Sequence, residues 1–207
     1  SIWDLAINSA NGDIFIADYS NDKVIQYDNA GNHIRDISTG TPYGMVIVGT
    51  TLYVGNEAPD NLVQTFSTTD GSFISSFGSN GSGDGQFTAP DDITSDGSLI
   101  YVADRNSHRI QAFTLSGEFV TKFGTNGTGD GQFSFPRGIV IDGSGDLLIA
   151  DEGNDRIQKI LGTPAGEFVA SITPSADGAV TVDISGSVAT DLAGNNNNVA
   201  SQFSIVY

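Results

Sequence analysis

The chain of 207 residues has no cysteine, two histidines, one tryptophan and only eight lysines and arginines. Each shortage removes a class of chemistry. Without thiols there is no disulfide framework, cysteine nucleophile or thiolate metal site, and the redox compartment is left open. His33 and His108 are the sole imidazoles, so a multi-histidine metal site is excluded by counting. No run approaches the ~18 consecutive apolar residues of a membrane-spanning helix. Nothing at the N-terminus reads as a signal peptide, while Ser1 in place of an initiating methionine leaves room for an upstream segment that has been removed.

The few bases stand against 25 acids, for a formal charge of -17. Binding nucleic acid needs a basic stripe that releases counterions, so no nucleic acid partner is expected. Insertion into a membrane is not expected, and anionic membrane surfaces are disfavoured by the same field. What the chain does have is glycine, phenylalanine and a 38% hydrophobic content, enough for a core of ordinary size.

That apolar content is arranged in repeats. Residues 99–123 alternate apolar and polar positions through Leu99, Tyr101 and Ala103 to Asp104, cross a polar loop to Arg109, and run back through Ile110, Ala112 and Phe113 to a turn at Ser116-Gly117. A third run follows from Phe119 to Phe123. Period-two alternation broken by Gly, Asn, Asp and Ser predicts antiparallel strands. Asp104 has counterparts at Asp18, Asn56 and Asp151, spaced roughly 38, 48 and 47 residues apart, inside the range of a four-stranded propeller blade. A further strand opens each unit, at Trp3-Asp4-Leu5-Ala6, Pro42-Tyr43-Gly44-Met45, Pro90-Asp91-Asp92-Ile93 and Pro136-Arg137-Gly138-Ile139.

With its paired linkers, Gly83-Asp84-Gly85-Gln86-Phe87 and Gly129-Asp130-Gly131-Gln132-Phe133, this pattern resembles the NHL repeat over about residues 2–172. The resemblance implies a propeller. Relatives usually have six blades and bind proteins, RNA or small ligands, and a few are enzymes; only four units are present here. The expected class is all-β: an NHL-type β-propeller of four blades over residues 1–162, its last blade reaching 172 on one reading. A segment over 163–207 resembles the C-terminal half of a bacterial Ig-like surface-protein repeat. Its carriers include Ile172-Thr173-Pro174, Val180-Thr181-Val182 and Phe203-Ser204-Ile205. A rival reading makes residues 179–207 a degenerate fifth blade.

In three units the acid is followed five residues later by a base: Asp18 and Lys23, Asp104 and Arg109, Asp151 and Arg156. Unit two has Asn56 and, after one inserted residue, Leu62. Joint loss of both charges predicts structural ion pairs across the loop, because a lone charge there would be poorly compensated. Asn80 and Asn126 open acceptor sequons for glycosylation. The Asp-rich steps at 142–146 and 151–155 invite calcium, but they lack the EF-hand spacing and read first as turns.

No serine stands in a nucleophile-elbow sequence, and His108 lies in an Asn/Ser-rich loop. The amidating lyases among NHL proteins depend on histidine metal ligands that this sequence cannot supply. The expectation is therefore a noncatalytic extracellular or cell-surface binding module without cofactor. Trp3, Asp4, Tyr43, Asp91, Asp92 and Arg137 would surround the mouth of a channel, with Arg105, Asn106 and His108 flanking it. Partners would be a protein or glycan ligand, or other copies of the chain. The alternative is a self-assembling subunit of a surface layer or fibre. A minor one is a calcium-dependent lactonase-like propeller enzyme using Asp4, Asp91 and Asp92.

Overall fold

Four times an alternating strand runs into a polar loop and turns back, and each return is hydrogen-bonded to the strand before it. A computed structural model describes residues 1–57 and 59–161, together with three strands within 169–206. The first sheet contains β1 (Ile2–Ile7), β2 (Ile14–Asp18), β3 (Lys23–Tyr27) and β4 (His33–Ser38). The second contains β5 (Pro42–Val48), β6 (Thr51–Asn56), β7 (Leu62–Ser67) and β8 (Phe73–Phe77). The third contains β9 (Pro90–Ser95), β10 (Leu99–Asp104), β11 (Arg109–Thr114) and β12 (Phe119–Phe123). The fourth starts with β13 (Pro136–Ile141), β14 (Leu147–Asp151) and β15 (Arg156–Ile160). Each sheet is an antiparallel meander, the blade of a β-propeller.

The opening strands are innermost: β1 packs on β5, β5 on β9 and β9 on β13. No comparable contact joins β13 to β1, so among the described residues the four blades form an arc. Three apolar clusters fill the gaps between consecutive blades. Ala6, Phe15, Ala17 and Val24 meet Met45, Leu52, Val54 and Phe66 between blades one and two. Tyr53 and Val63 meet Ile93, Ile100 and Val102 at the next junction, and Tyr101, Ala103 and Ile110 meet Ile139, Leu147 and Ile149 at the last. The linkers each add a fully buried ring, Phe87 or Phe133, to these clusters. A side chain of this size is worth about 1.5–3 kcal/mol when buried, so the linkers are part of the core.

The loops between second and third strands are single 3-10 turns at Tyr19–Asn21, Arg105–Ser107 and Glu152–Asn154. Each ends in a left-handed residue: Asp22 (φ 51°), His108 (φ 53°) and Asp155 (φ 50°). Asp, Asn and His tolerate that backbone better than other side chains, which gives His108 a structural reason for its position.

The Asp-to-Arg pairs form where a long linker precedes the blade. Arg109 Nε donates to Asp104 Oδ2 at 3.0 Å, and its other nitrogens donate to the carbonyls of Ser82, Gly83 and Gln86. Arg156 repeats this with Asp151 at 2.8 Å and the carbonyls of Thr128, Gly129 and Gln132. The acids hold the other end of the linker, Asp104 Oδ1 accepting from Thr88 and Ala89 N–H, and Asp151 Oδ1 from Ser134 N–H. The pair expected in unit one is corrected. Asp18 and Lys23 face each other in register, but Lys23 Nζ bonds Asp36 at 2.7 Å, while Asp18 accepts from Asn21 Nδ2. Blade two is entered through a short connection, and Asn56 Oδ1 accepts from Gly40 N–H instead. Arginine thus occupies the slot where linker carbonyls need a donor.

Asn80 and Asn126 are exposed on the linkers, in bridges to Phe87 and Phe133. Asp142 turns its oxygens to Ser144 and Asp146 N–H and, with Asp146, holds Lys159 Nζ at 2.7 and 2.8 Å. That segment is a turn closed by an ion pair, not an open ring of oxygens. Most of the segment expected to be Ig-like, 163–207, lies outside the described residues. The strands that are described, β16 (Val169–Ser175), β17 (Ala179–Ile184) and β18 (Phe203–Val206), continue the fourth sheet in antiparallel order beyond β15.

Candidate binding site at the channel mouth

The second residue of each inner strand points into one space. In chain order these are Trp3, Tyr43, Asp91 and Arg137, because the pairings Ile2 with Asp18, Pro42 with Asn56, Pro90 with Asp104 and Pro136 with Asp151 set all four strands in one register. The residue after each of those acids or amides, Tyr19, Glu57, Arg105 and Glu152, starts the neighbouring loop and reaches the same mouth. A cavity of about 220 Å³ is lined by Trp3, Asp4, Tyr43, Gly44, Asp91, Asp92, Arg137 and Gly138.

One half of the mouth is aromatic. Trp3 stacks on Tyr43 with centroids 4.9 Å apart, and Tyr19 meets both rings edge-on at 6.1 and 5.1 Å. Tyr43 hydrogen-bonds Glu57, and burial together with that carboxylate pushes its hydroxyl far above the ordinary phenol range. The other half is ionic. Arg105 bridges Glu57 at 2.7 Å and Asp91 at 3.1 Å, and Arg137 sits 2.6 Å from Glu152 and 3.9 Å from Asp91. Burial raises the Asp91 carboxyl, with the two guanidiniums pulling it back.

Beneath them the third residue alternates Asp4, Gly44, Asp92, Gly138. Asp4 Oδ1 accepts from Leu5 N–H and Oδ2 reaches across to Met45 N–H on the next blade, both at 2.7 Å. Asp92 does the same with Ile93 and Ile139 N–H, both at 2.8 Å. Burial raises Asp4 and pushes Asp92 up to about 6 against these hydrogen bonds, with Asp4 and Asp91 adding repulsion at Asp92. Gly44 is required by this arrangement: a Cβ there would lie 2.5 Å from Asp92 Cα.

The fold therefore brings Trp3, Asp4, Tyr43, Asp91, Asp92 and Arg137 together and places Arg105 beside them. Asn106 is exposed on its turn, outside the lining. His108 also lies outside it; its Nδ1 accepts from Phe135 N–H at 3.1 Å and its ring packs on Phe135 at 4.7 Å. Tyr19, Glu57, Glu152, Gly44 and Gly138 are additions to the set that sequence reasoning picks out. The signal for them lies in the superposition of the four units, one slot after the acid and two slots after the opening proline. Among the described residues no group of three or more His, Asp or Glu side chains is disposed to hold a metal ion.

Comparison with known proteins agrees with this architecture. Residues 133–160, most of blade four, match the model of the NHL repeat. The virginiamycin B lyase of Staphylococcus aureus, solved as a catalytically inactive histidine-to-alanine variant with quinupristin, superposes with a TM-score of 0.65 at 18% identity, covering 87% of this chain and 62% of the lyase. A streptogramin B lyase superposes at 0.64 with 13% identity, over 99% of this chain and 68% of the other. Hydrazine synthase of Kuenenia stuttgartiensis gives 0.60 at 17% identity, over 92% and 63%. This chain thus spans about three fifths of the length of the virginiamycin B lyase. No curated protein sequence matches it. At these identities the likeness is one of fold, and the fold is a β-propeller carrying an NHL repeat.

Proposed function

We propose that the chain is a noncatalytic binding module whose channel mouth receives one ring or side chain of a larger ligand. The observation that carries this is the division of the mouth into an aromatic platform, Trp3, Tyr43 and Tyr19, and a set of fixed charges, Asp91, Arg105 and Arg137. About 220 Å³ is less than the roughly 300–1,000 Å³ of sites that engulf a drug-sized molecule, so most of the ligand would rest on the surrounding loops. An aromatic face beside carboxylates suits a ring with an apolar face and hydrogen-bond donors on its edge. Among the expected partners, a glycan fits that description better than a flat protein surface. An extracellular or cell-surface setting accords with such a ligand and with the exposed sequons at Asn80 and Asn126.

Trp3 is the only tryptophan, so its fluorescence reports on the mouth directly. Titration with neutral and acidic oligosaccharides is expected to shift or quench it. Trp3→Phe would remove the signal while a calorimetric titration follows weakened binding, and Asp91→Ala would weaken binding with the fluorophore in place. No saturable response across a broad glycan set, in fluorescence or calorimetry, counts against the reading.

A second reading, lyase chemistry, has the structural neighbours as its support. The S. aureus enzyme is inactive as a histidine-to-alanine variant, whereas no histidine lines the mouth here. Asp92, with a raised carboxyl, has both oxygens occupied by backbone N–H groups, so transferring a proton would break a structural bond. Incubation with quinupristin distinguishes the readings: any cleavage that depends on the protein would favour the lyase.

A further inference from the structure

The mouth holds more negative charge than its own cations neutralise. In its ionic half three carboxylates share two guanidiniums: Arg105 lies between Glu57 and Asp91, and Arg137 between Glu152 and Asp91. Beneath them Asp4 and Asp92 are held by backbone N–H groups. The charges felt at Asp92 are those of Asp4 and Asp91, and both raise its carboxyl. Among the described residues, five carboxylates thus meet two guanidiniums at or just below the mouth.

A second observation is independent of that count. The Asp91 side chain lines the cavity and is only 10% exposed, yet its Oδ2 makes no aligned hydrogen bond. Arg105 Nε at 3.1 Å and Arg137 Nε at 3.9 Å meet that oxygen as charges. A buried carboxylate oxygen held in this way is poorly compensated, and a further positive charge in the adjoining cavity would stabilise it. The aromatic platform is contiguous with these acids. Tyr43 has Glu57 at its hydroxyl and Asp91 close enough to raise it further. Ring faces beside carboxylates attract a cation twice, through the ring quadrupole and through Coulomb attraction.

We propose that the ligand of the mouth is a glycan with a free, protonated amino group: a hexosamine whose ring rests on the platform of Trp3 and Tyr43 and whose ammonium is turned toward Asp91 and Asp92. This inference rests on the glycan-binding reading and adds a charge to it. A hexosamine unites an apolar ring face with an ammonium of three N–H donors at its edge. N-acetylation keeps the ring and removes the charge. The free amine should therefore bind most tightly, the acetylated sugar less so, and a sugar carrying a carboxylate least of all, since the acids of the mouth repel it.

The test titrates the intact 207-residue chain calorimetrically with a tetramer of glucosamine and with the same tetramer fully N-acetylated, at about 0.15 M salt. The free amine is expected to bind about 10-fold more tightly, within the range for a partly desolvated cation on an aromatic face. Asp91→Asn should remove most of that preference. Glu118→Gln takes the same charge from the turn at the far end of blade three and should leave the preference intact. Arg137→Gln has the opposite sign. It removes a cation from the mouth, at a side chain 37% exposed, and should tighten binding of the amine, where loss of a merely structural residue would weaken it. From about pH 7 to about pH 5 the amine should bind more weakly and the acetylated tetramer should not change, because Asp92, pushed up to about 6, takes up a proton there. Equal binding of the two tetramers overturns the charge and leaves the glycan reading standing, whereas binding of neither defeats both. A preference that Glu118→Gln lowers as much as Asp91→Asn is diffuse attraction to an acidic protein and overturns the proposal, as does weaker binding of the amine by a folded Arg137→Gln protein.

Discussion

Asp92 shows how one carboxylate can join two blades at a cost that depends on pH. Its oxygens accept from Ile93 and Ile139 N–H, but burial pushes its pKa up to about 6 from the usual 3.8. A carboxyl raised on folding binds its proton more tightly in the native state. Its contribution to stability is therefore full below about pH 4 and is lost as pH rises through 6. Over that window the loss is at most about 3 kcal/mol, since a tenfold change in proton affinity is worth about 1.4 kcal/mol. Asp4 and Asp91, also raised by burial, push in the same direction. Urea midpoints measured from pH 4 to 7 should fall with rising pH, and Asp92→Asn should flatten the slope. An unchanged slope in the variant would assign the effect elsewhere. Gly44 is the partner in this arrangement. Gly44→Ala should destabilise the chain by about 1–3 kcal/mol, the usual range for overpacking against backbone, whereas Gly143→Ala, where a Cβ meets nothing within 4 Å, should change stability by less than about 0.5 kcal/mol.

At the scale of the element, the unit of construction is the blade with the linker that enters it. Asp104, Arg109 and Gln111 hold one linker between them: Gln111 Nε2 donates to Gln86 O and its Oε1 accepts from Gly85 N–H, while Gln158 repeats both contacts at Gln132 and Gly131. Arg109→Leu alone should cost more than Asp104→Asn combined with Arg109→Leu, because the single change leaves a fully buried carboxylate without its cation. Additive losses in the double-mutant cycle would dissolve the coupling. The meander, the loop turns and the slot of the acid were legible from alternation and from the spacing of Asp18, Asn56, Asp104 and Asp151. The partner of Lys23 was not, because Asp36 lies on the following strand, 13 residues on, with no repeated counterpart to reveal it. Nor was the carbonyl clamp, since backbone acceptors leave no mark on a sequence. At the mouth, the residues after each proline could be read from register. Tyr19, Glu57 and Glu152 share with Arg105 the slot after the acid, but that slot holds three residue types, so superposing the units marks the position and not the chemistry.

For the whole molecule, charge sets the field. With a net -17 the surface repels phosphate, and no binding of RNA or duplex DNA is expected at about 0.15 M salt; a submicromolar, salt-sensitive complex would contradict this. The same self-repulsion opposes compaction and is screened within roughly 10 Å at 0.1 M salt. Melting temperature should therefore rise between low and moderate ionic strength, and a flat response would contradict self-repulsion as a term in the stability of the chain.

The alternation Asp4, Gly44, Asp92, Gly138 also imposes parity. Asp4 and Asp92 each give a carboxylate to the blade after their own, and Gly44 makes room for blade three, so among the described blades the inner strands alternate with a period of two. Inserting or deleting a single blade would set two carboxylates side by side, or two glycines with no acceptor for the amide between them. Growth of such a chain by duplication is smooth in steps of two and frustrated in steps of one, much as an odd ring of alternating spins cannot satisfy every neighbour.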